Sequence, residues 1–545
     1  MRRTLLFFLL PWASLPLLAQ RPAPVELRAV RAYDAARSSQ SSTLELHAFL
    51  ERMPKGGDLH MHLSGAVYAE TFIQNAVADN LCVDPTTRSF TKNIGTTRSL
   101  PLQPVCTEGQ VAAGTALKDQ KLYDALVDSF SMRGFVPTPG ITGHDQFFST
   151  FTRFSGLKSH TGEWLDEVAT RAAAQNEQYL EVMDTPNFTS AAKLGADLGW
   201  PQTPSDRLVS QSDRPTGSTA GDLTGTTHAE LAHLREQLLA SSAFRDNIAQ
   251  DRKELTDALA TRERIEHCGQ AAATLACSVQ IRFLGQVLRA FPPQQVFSQT
   301  LLYFELASSD PAVVGINFVQ PEDAYMSMSE YHRQMLMLDY LHGVYPKVHI
   351  TLHAGELAPG LVPPAGLRFH IREAVDLGHA ERIGHGVDIM QEDDPQALLK
   401  ELTARHIMVE INLTSNDVIL GVSANHHSLP VYRAARVPIA LSTDDEGVSR
   451  IDLTHEYTRA ALEFNLTYLD LKNIARTSLE HSFLGGPSLW QQPDSFTHTV
   501  PACAAQPLGG LTPTAVCARF LKLSDKASQQ WELEHRSANF ESGLP

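Results

Sequence analysis

The chain has 545 residues, 43% of them hydrophobic and 19% charged, which is ample apolar material for a large core and carries no signature of disorder. Lys plus Arg number 45 against 61 Asp plus Glu, a formal net charge of −16. That balance excludes the basic footprint nucleic acid requires, disfavours an anionic membrane surface, and favours solubility.

The first element is a leader. "MRRTLLFFLLPWASLPLLAQ" has a basic start, an apolar run interrupted by Pro11 and Pro16, and a small residue, Ala19, before Gln20. Residues 1–19 therefore read as a signal peptide, and the protein as exported to the periplasm or secreted. The competing reading is a membrane anchor, but the prolines and the short apolar stretch disfavour it, and no stable membrane insertion is expected. Residues 20–50 read as a helical lead-in, 51–486 as the main domain and 487–545 as a C-terminal extension. The length suits one large domain with insertions.

Eight short β-rich runs follow: "GGDLHMHL", "QYLEVMD", "AATLACSVQIRFL", "VVGINFV", "KVHITLHAGE", "RIGHGV", "IMVEINLTSN" and "VPIALSTDD". Each is nearly continuously apolar and separated from the next by a helix-length spacer. This is the pattern of a parallel sheet buried on both faces. Eight such units predict a closed (β/α)₈ barrel of the TIM type, with an open doubly wound sheet as the alternative. Residues 77–118 are polar and turn-rich, and residues 190–226 are rich in Gly, Ser, Thr and Pro. Both read as insertions in the loops, the second as an exposed loop.

The six cysteines are Cys82, Cys106, Cys268, Cys277, Cys503 and Cys517. They fall into three sequence-local couples, and an even count in an exported chain points to disulfides, although six cysteines allow fifteen connectivities. Pairing of Cys82 with Cys106 and of Cys503 with Cys517 is expected, the latter giving a disulfide-bearing tail. Cys277, inside a strand-like run, reads alternatively as a buried free thiol. With no C-x-x-C, neither a thiolate zinc cage nor a thioredoxin-like site is available.

Polar residues gather at the C-terminal ends of the strand runs. His60 and His62 lie on one face of a strand, about 6–7 Å apart along it, so both imidazoles can reach one ion. An H-x-H taken alone fits equally a pair of hydrogen-bonded core histidines. "HITLHAGE" ends a strand with His353 and brings Glu356 three residues later, across a tight turn. "RIGHGV" offers His385 between two glycines. "ALSTDDEG" ends the last run with Asp444 and Asp445, adjacent carboxylates that repel unless one binds a cation; the plainer reading is a turn or N-cap role. Together they describe a mononuclear hydrolytic zinc site: three histidines and a carboxylate as ligands, with Glu, His and Asp beside them for proton transfer.

In that order, "LHMHLSGA", "TLHAGE", "RIGHGV", "EINLTSN" and "LSTDDEG" resemble the adenosine deaminase family of the metal-dependent amidohydrolases, over about Met53 to Leu484. "MPKGGDLHMHL" and the leader are similar to its secreted, growth-factor-related branch. The resemblance implies a hydrolase acting on carbon–nitrogen bonds of cyclic amidines, with one zinc per subunit and a small purine nucleoside as partner. His60, His62, His353 and Asp444 would hold zinc. Glu356 would protonate purine N1, His385 would act as base toward the attacking water, and Asp445 would contact that water and N7. His62, Ser64, Gln320, Gly355 and Asp445 would line the substrate. Ser64 stands where the family usually carries an Asp toward the ribose 5′-hydroxyl, and Gln320 where a Gly usually lines the base pocket. Asn412, Ser415 and Asn416 would be supporting residues. Another amidohydrolase reaction, or a non-catalytic nucleoside-binding protein, are the alternatives.

Overall fold

Strands form where the sequence places uninterrupted apolar runs. A computed structural model of the chain describes residues 24–96, 104–158, 160–186, 188–200 and 226–545. The leader and most of the second insertion lie outside the described residues. The eight runs become β1 (Gly56–His62), β2 (Glu177–Asp184), β3 (Gln280–Leu288), β4 (Val313–Val319), β5 (His349–Ala354), β6 (Arg382–His385), β7 (Met408–Ile411) and β8 (Ile439–Leu441). They pair in parallel, each with its sequence neighbour.

The sheet closes on itself. Met61 bridges Asp444 in parallel, His62 N donates to Asp444 O at 3.1 Å and Asp444 N to His60 O at 2.8 Å. Asp58 adds a side-chain clasp, accepting from Thr443 N and Oγ1. The closed barrel therefore holds, and the open sheet does not.

The helices between strands bury apolar faces against the barrel. Pro293–Ser309, started by a proline in its first turn, buries Val296, Phe297, Leu301, Leu302 and Phe304. A fixed φ suits proline to that position. The run 272–284 departs from expectation in its first half. Leu275–Ser278 is a 3₁₀ turn and the strand begins only at Gln280. Cys277 is thus not a buried free thiol: it is bonded to Cys268. Cys82 is bonded to Cys106 and Cys503 to Cys517, as expected.

Two additions flank the barrel. Between β1 and β2, the first insertion is less irregular than its composition implies. Cys82–Asp84 pairs antiparallel with Ser89–Thr91 and Val111–Ala112. The helix Gly143–Arg153 follows, opened by a Thr142–Asp145 capping box. This segment shares a second apolar core, including Phe72, Phe90, Phe130, Phe147 and Phe154, with Ile419 and Val448, over the C-terminal mouth of the barrel. In the second insertion, Phe188–Leu198 is helical rather than loop. At the opposite end, the helix Asp525–Ser542 packs under the barrel: Leu533 joins Leu59, Tyr179, Met408 and Ala440. No helix among the described residues is long and apolar enough to cross a membrane.

Candidate active site

The C-terminal ends of β1, β5 and β8 bring His60, His62, His353 and Asp444 together. His353 Nε2 lies 3.1 Å from His60 Nε2 and 3.2 Å from His62 Nε2. Asp444 Oδ1 is 3.4 Å and 3.2 Å from the same two nitrogens. The outer face of each ring is held by an acceptor: Glu410 Oε2 at 2.6 Å from His60 Nδ1, Gln286 Oε1 at 2.7 Å from His62 Nδ1, and Asn317 Oδ1 at 2.9 Å from His353 Nδ1. A carboxylate or amide oxygen can only accept, so each Nδ1 carries its hydrogen and each Nε2 presents a lone pair. Three lone pairs facing one another are repulsive unless a cation sits among them. Tetrahedral zinc with bonds of about 2.0–2.1 Å places its ligand nitrogens about 3.3 Å apart, close to the separations found. The donor set fits a zinc ion.

These supporting oxygens were not singled out from the sequence, yet each leaves a trace there. Glu410 in "IMVEINL", Asn317 in "GINFV" and Gln286 in "LGQVL" are polar residues inside otherwise apolar strands, where a buried polar group must find a partner. Asn416 Oδ1 accepts from His385 Nδ1 at 2.9 Å and Ser415 Oγ donates to Asp444 Oδ2 at 2.6 Å. The "EINLTSN" run therefore supports the centre, as expected.

Glu356 follows β5 by two residues, and its approach is set by Glu322. Glu322 Oε1 accepts from Gly355 N at 3.0 Å and Oε2 from Glu356 N at 2.7 Å. Burial, with Asp444 and Glu322 nearby, raises the Glu356 carboxyl well above its usual range. His385 is fully buried, with Nε2 3.8 Å from Glu356 Oε1. Burial, reinforced by His60, lowers it to about 4, so it is neutral. Burial and the Asp444 charge raise Asp445 to about 8. Its Oδ1 has no hydrogen-bond partner.

A Cβ on Gly355, at φ +76°, would strike Asp388 Oδ1 at 2.3 Å and Ile371. That residue therefore makes room for a buried carboxylate behind the turn. A Cβ on Gly384 would meet the His60 ring at 2.7 Å, and one on Gly386 the Tyr432 hydroxyl at 2.5 Å. Those two glycines flanking His385 accommodate side chains. Gly65, by contrast, is required, because a Cβ there would overlap Asp445 Oδ1 at 1.5 Å.

A cavity of about 550 Å³ opens above the four ligands. His62, His353, Glu356, Asp444 and Asp445 form its floor, Ser64 and Gln320 part of its wall. Gln320 has φ +84°, which explains why glycine suits that position, and its Oε1 is spent on Ala290 N at 2.9 Å. Much of the rest of the wall is aromatic: Phe147, Phe148 and Phe151 from the helix Gly143–Arg153, with Phe72, Phe154 and Trp164. Helical spacing alone did not reveal this role, since the face that Gly143–Arg153 presents depends on its packing against Leu413–Leu420.

Residues 225–489 match the family model described as adenosine deaminase. The adenosine deaminase of Clostridium perfringens is 34% identical over 135 residues, covering 25% of this chain and 37% of that protein. The adenosine deaminase of Escherichia coli O1:K1 is 37% identical over 139 residues, covering 25% and 38%. The chain thus spans little more than a third of the length of these curated relatives. Among solved structures, the adenine deaminase of Arthrobacter aurescens aligns at 15% identity and a TM-score of 0.46, covering 79% of this chain and 94% of that one. The match to the adenosine deaminase family model thus lies over the part of the chain that carries β3 to β8.

Proposed function

We propose that this protein is an exported, zinc-dependent deaminase that converts an adenine nucleoside to the corresponding inosine compound and ammonia. One observation carries the reading: three imidazole lone pairs and a carboxylate converge on the floor of a ligand-sized cavity, beside a buried glutamic acid and an unpartnered aspartate oxygen.

His60, His62, His353 and Asp444 would hold the zinc, which when bound supplies an acidified water as nucleophile. The chain's own groups do the rest. Glu356, kept protonated by burial, donates to purine N1 and draws electrons from C6. The Gly355–Glu356 turn is held for that task by Glu322. His385 is neutral, and Asn416 fixes its Nδ1, leaving Nε2, which has Asn412 Nδ2 at 3.4 Å, to accept the proton of the attacking water. Asp445, retaining its proton beside Asp444, donates to N7, which can only accept. The leaving amine takes the proton that His385 received from the water and departs as ammonia. The aromatic wall stacks and desolvates the base.

Export is supported by the leader and by the cysteines, all six of which are in disulfides, a usage typical of oxidising compartments.

The test is an ultraviolet difference assay on a panel of adenine nucleosides and nucleotides, with metal content measured before and after chelation. The expected result is conversion to the inosine spectrum, near-stoichiometric zinc, and loss of both in Asp444→Ala. Full zinc occupancy in Asp444→Ala would refute the ligand assignment. A metal-loaded protein inert toward every adenine compound would refute the reaction.

A further inference from the structure

A second group of acidic residues lies outside the barrel and apart from the site just described. Asp184 ends β2 on the outward-facing phase, with Leu180 and Val182 preceding it in the core between barrel and helices. Opposite it is Gly285 of β3, against which the ring of Tyr303 packs so closely that a Cβ would lie 2.4 Å from it. The helix Ser242–Ile265 brings Asn247 and Asp251, one turn apart, and Glu254 into the same region. Asp251 is fully buried, Asn247 is 3% exposed and Tyr303 1%.

Four oxygens here have no partner: Asp184 Oδ2, Asp251 Oδ2, Asn247 Oδ1 and Tyr303 Oη. The Asn247 amide nitrogen donates to Asp251 Oδ1 at 2.9 Å, which turns its own oxygen outward. Tyr303 Oη lies beside Thr185, whose hydroxyl is spent on the Gln286 carbonyl at 3.0 Å, and it makes no hydrogen bond of ordinary geometry. The two carboxyls are not bonded to each other. Asp251 feels the charges of Glu254 and Asp184, Asp184 feels that of Glu254, and among the described residues no Lys, Arg or His pairs with either. Burial, and then Glu254 and Asp184, push Asp251 up to about 7, and burial outweighs the Thr185 amide's hydrogen bond to bring Asp184 to about 7 as well.

A buried carboxylate without a cation is costly, and so is a buried oxygen without a donor. Several such atoms in one place call for a positive charge. Because every vacant atom is an oxygen, the set suits a hard cation and not a thiophilic one. We propose that Asp184, Asp251, Asn247 and Tyr303 form a binding site for a divalent hard cation, calcium by preference. It would tie the end of β2 to the helices Ser242–Ile265 and Pro293–Ser309. Calcium fits better than magnesium because the donors come from three separate elements, and calcium tolerates the irregular geometry that results.

The test uses the full-length, zinc-loaded protein freed of other metals by dialysis. Terbium is added as a luminescent calcium mimic excited through tyrosine, and calcium is then titrated against it while the melting temperature is followed. The expected result is sensitised emission saturating at one terbium per chain, displacement by calcium, and a calcium-dependent rise in melting temperature. Asp251→Asn should weaken calcium at least ten-fold and abolish the thermal effect. Tyr303→Phe, which buries no new charge and so keeps the fold, should cut the sensitised emission and weaken binding several-fold. Deamination by zinc-loaded Tyr303→Phe should be unchanged, separating this site from the catalytic one. No emission and no thermal response up to millimolar calcium would overturn the proposal. So would an Asp251→Asn protein that still binds terbium as the wild type does, or one whose stability exceeds wild type at every calcium concentration. That last outcome would show a protonated carboxyl pair with no cation.

Discussion

Glu410 Oε2 lies 2.6 Å from His60 Nδ1, while its other oxygen accepts from Arg382 Nε at 2.6 Å. Both residues are fully buried. Burial alone would raise this carboxyl, but the Arg382 guanidinium and the His60 contact outweigh it and hold Glu410 down at about 2. A permanent carboxylate behind His60 fixes the tautomer and makes Nε2 a better ligand. Glu410→Gln should weaken zinc retention about 10–100-fold, the usual effect of removing such a partner. Metal content after graded chelator competition reads this directly, and wild-type retention would remove Glu410 from the centre.

Glu356, unlike Glu410, stands beside Asp444 and His385 on the cavity side of the centre. Glu356→Gln should keep zinc and fold, yet lose kcat by more than the ~10²–10⁴ typical of general acid–base catalysis, because N1 protonation and nucleophilic attack are coupled. Single-turnover measurement on zinc-loaded variant protein checks it. Turnover near wild type would place the proton donor elsewhere.

Ser64 lines the cavity without bringing a charge. An Asp there would offer the ribose 5′-hydroxyl a charged acceptor, a bond worth roughly 1.5–3 kcal/mol, and would repel a 5′-phosphate. The wild-type protein should therefore turn over adenosine, 2′-deoxyadenosine and 5′-substituted adenosines at comparable efficiency. Ser64→Asp should sharpen the preference for a free 5′-hydroxyl about ten-fold. The measurement is kcat/KM for adenosine and its 5′-deoxy analogue in both proteins. An unchanged ratio would mean that residue 64 does not face the sugar.

Beneath the barrel, Arg476 donates Nε and Nη2 to Glu534 at 2.6 Å and 2.8 Å, holding the C-terminal helix to Tyr468–Glu480. Burial would raise Glu534, but Arg476 outweighs it and the carboxyl is lowered below its ordinary value of 4.5. Its contribution to stability is therefore complete above that ordinary value and disappears as pH falls through the lower, folded one. Glu534→Gln should cost about 3–5 kcal/mol at pH 7, the range for breaking a buried pair. The gap from wild type should close progressively below about pH 4.5. Urea unfolding of both proteins at pH 7 and in the acid range tests the sign. A gap that widens in acid would contradict it.

The barrel was legible in the sequence because its strands are buried on both faces, so each announces itself as an apolar run regardless of its neighbours. The ligand set was legible for a related reason. His60, His62, His353 and Asp444 stand at strand ends, where parallel pairing in a closed barrel brings side chains distant in the chain to one mouth. Cys277 joins its sequence-local neighbour Cys268, and only the alternative of a free thiol fell, because a short apolar run does not reveal where a strand begins. What occupies the space beside Gly355, Asp388, could not be read from the sequence, because that space belongs to whatever packs there and is a tertiary fact. Glu322, Gln286, Asn317 and Glu410 were visible only as polar residues in apolar surroundings; their partners depend on strand register and inward phase. The aromatic wall from Gly143–Arg153 and the oxygen set at Asp184, Asp251 and Tyr303 could not be read at all. Sequence by itself determined which residue types recur at which spacing, and so the barrel and its metal-ligand candidates. Only the tertiary structure decided which buried polar atoms find partners and which are left vacant, because that depends on contacts between elements scores of residues apart.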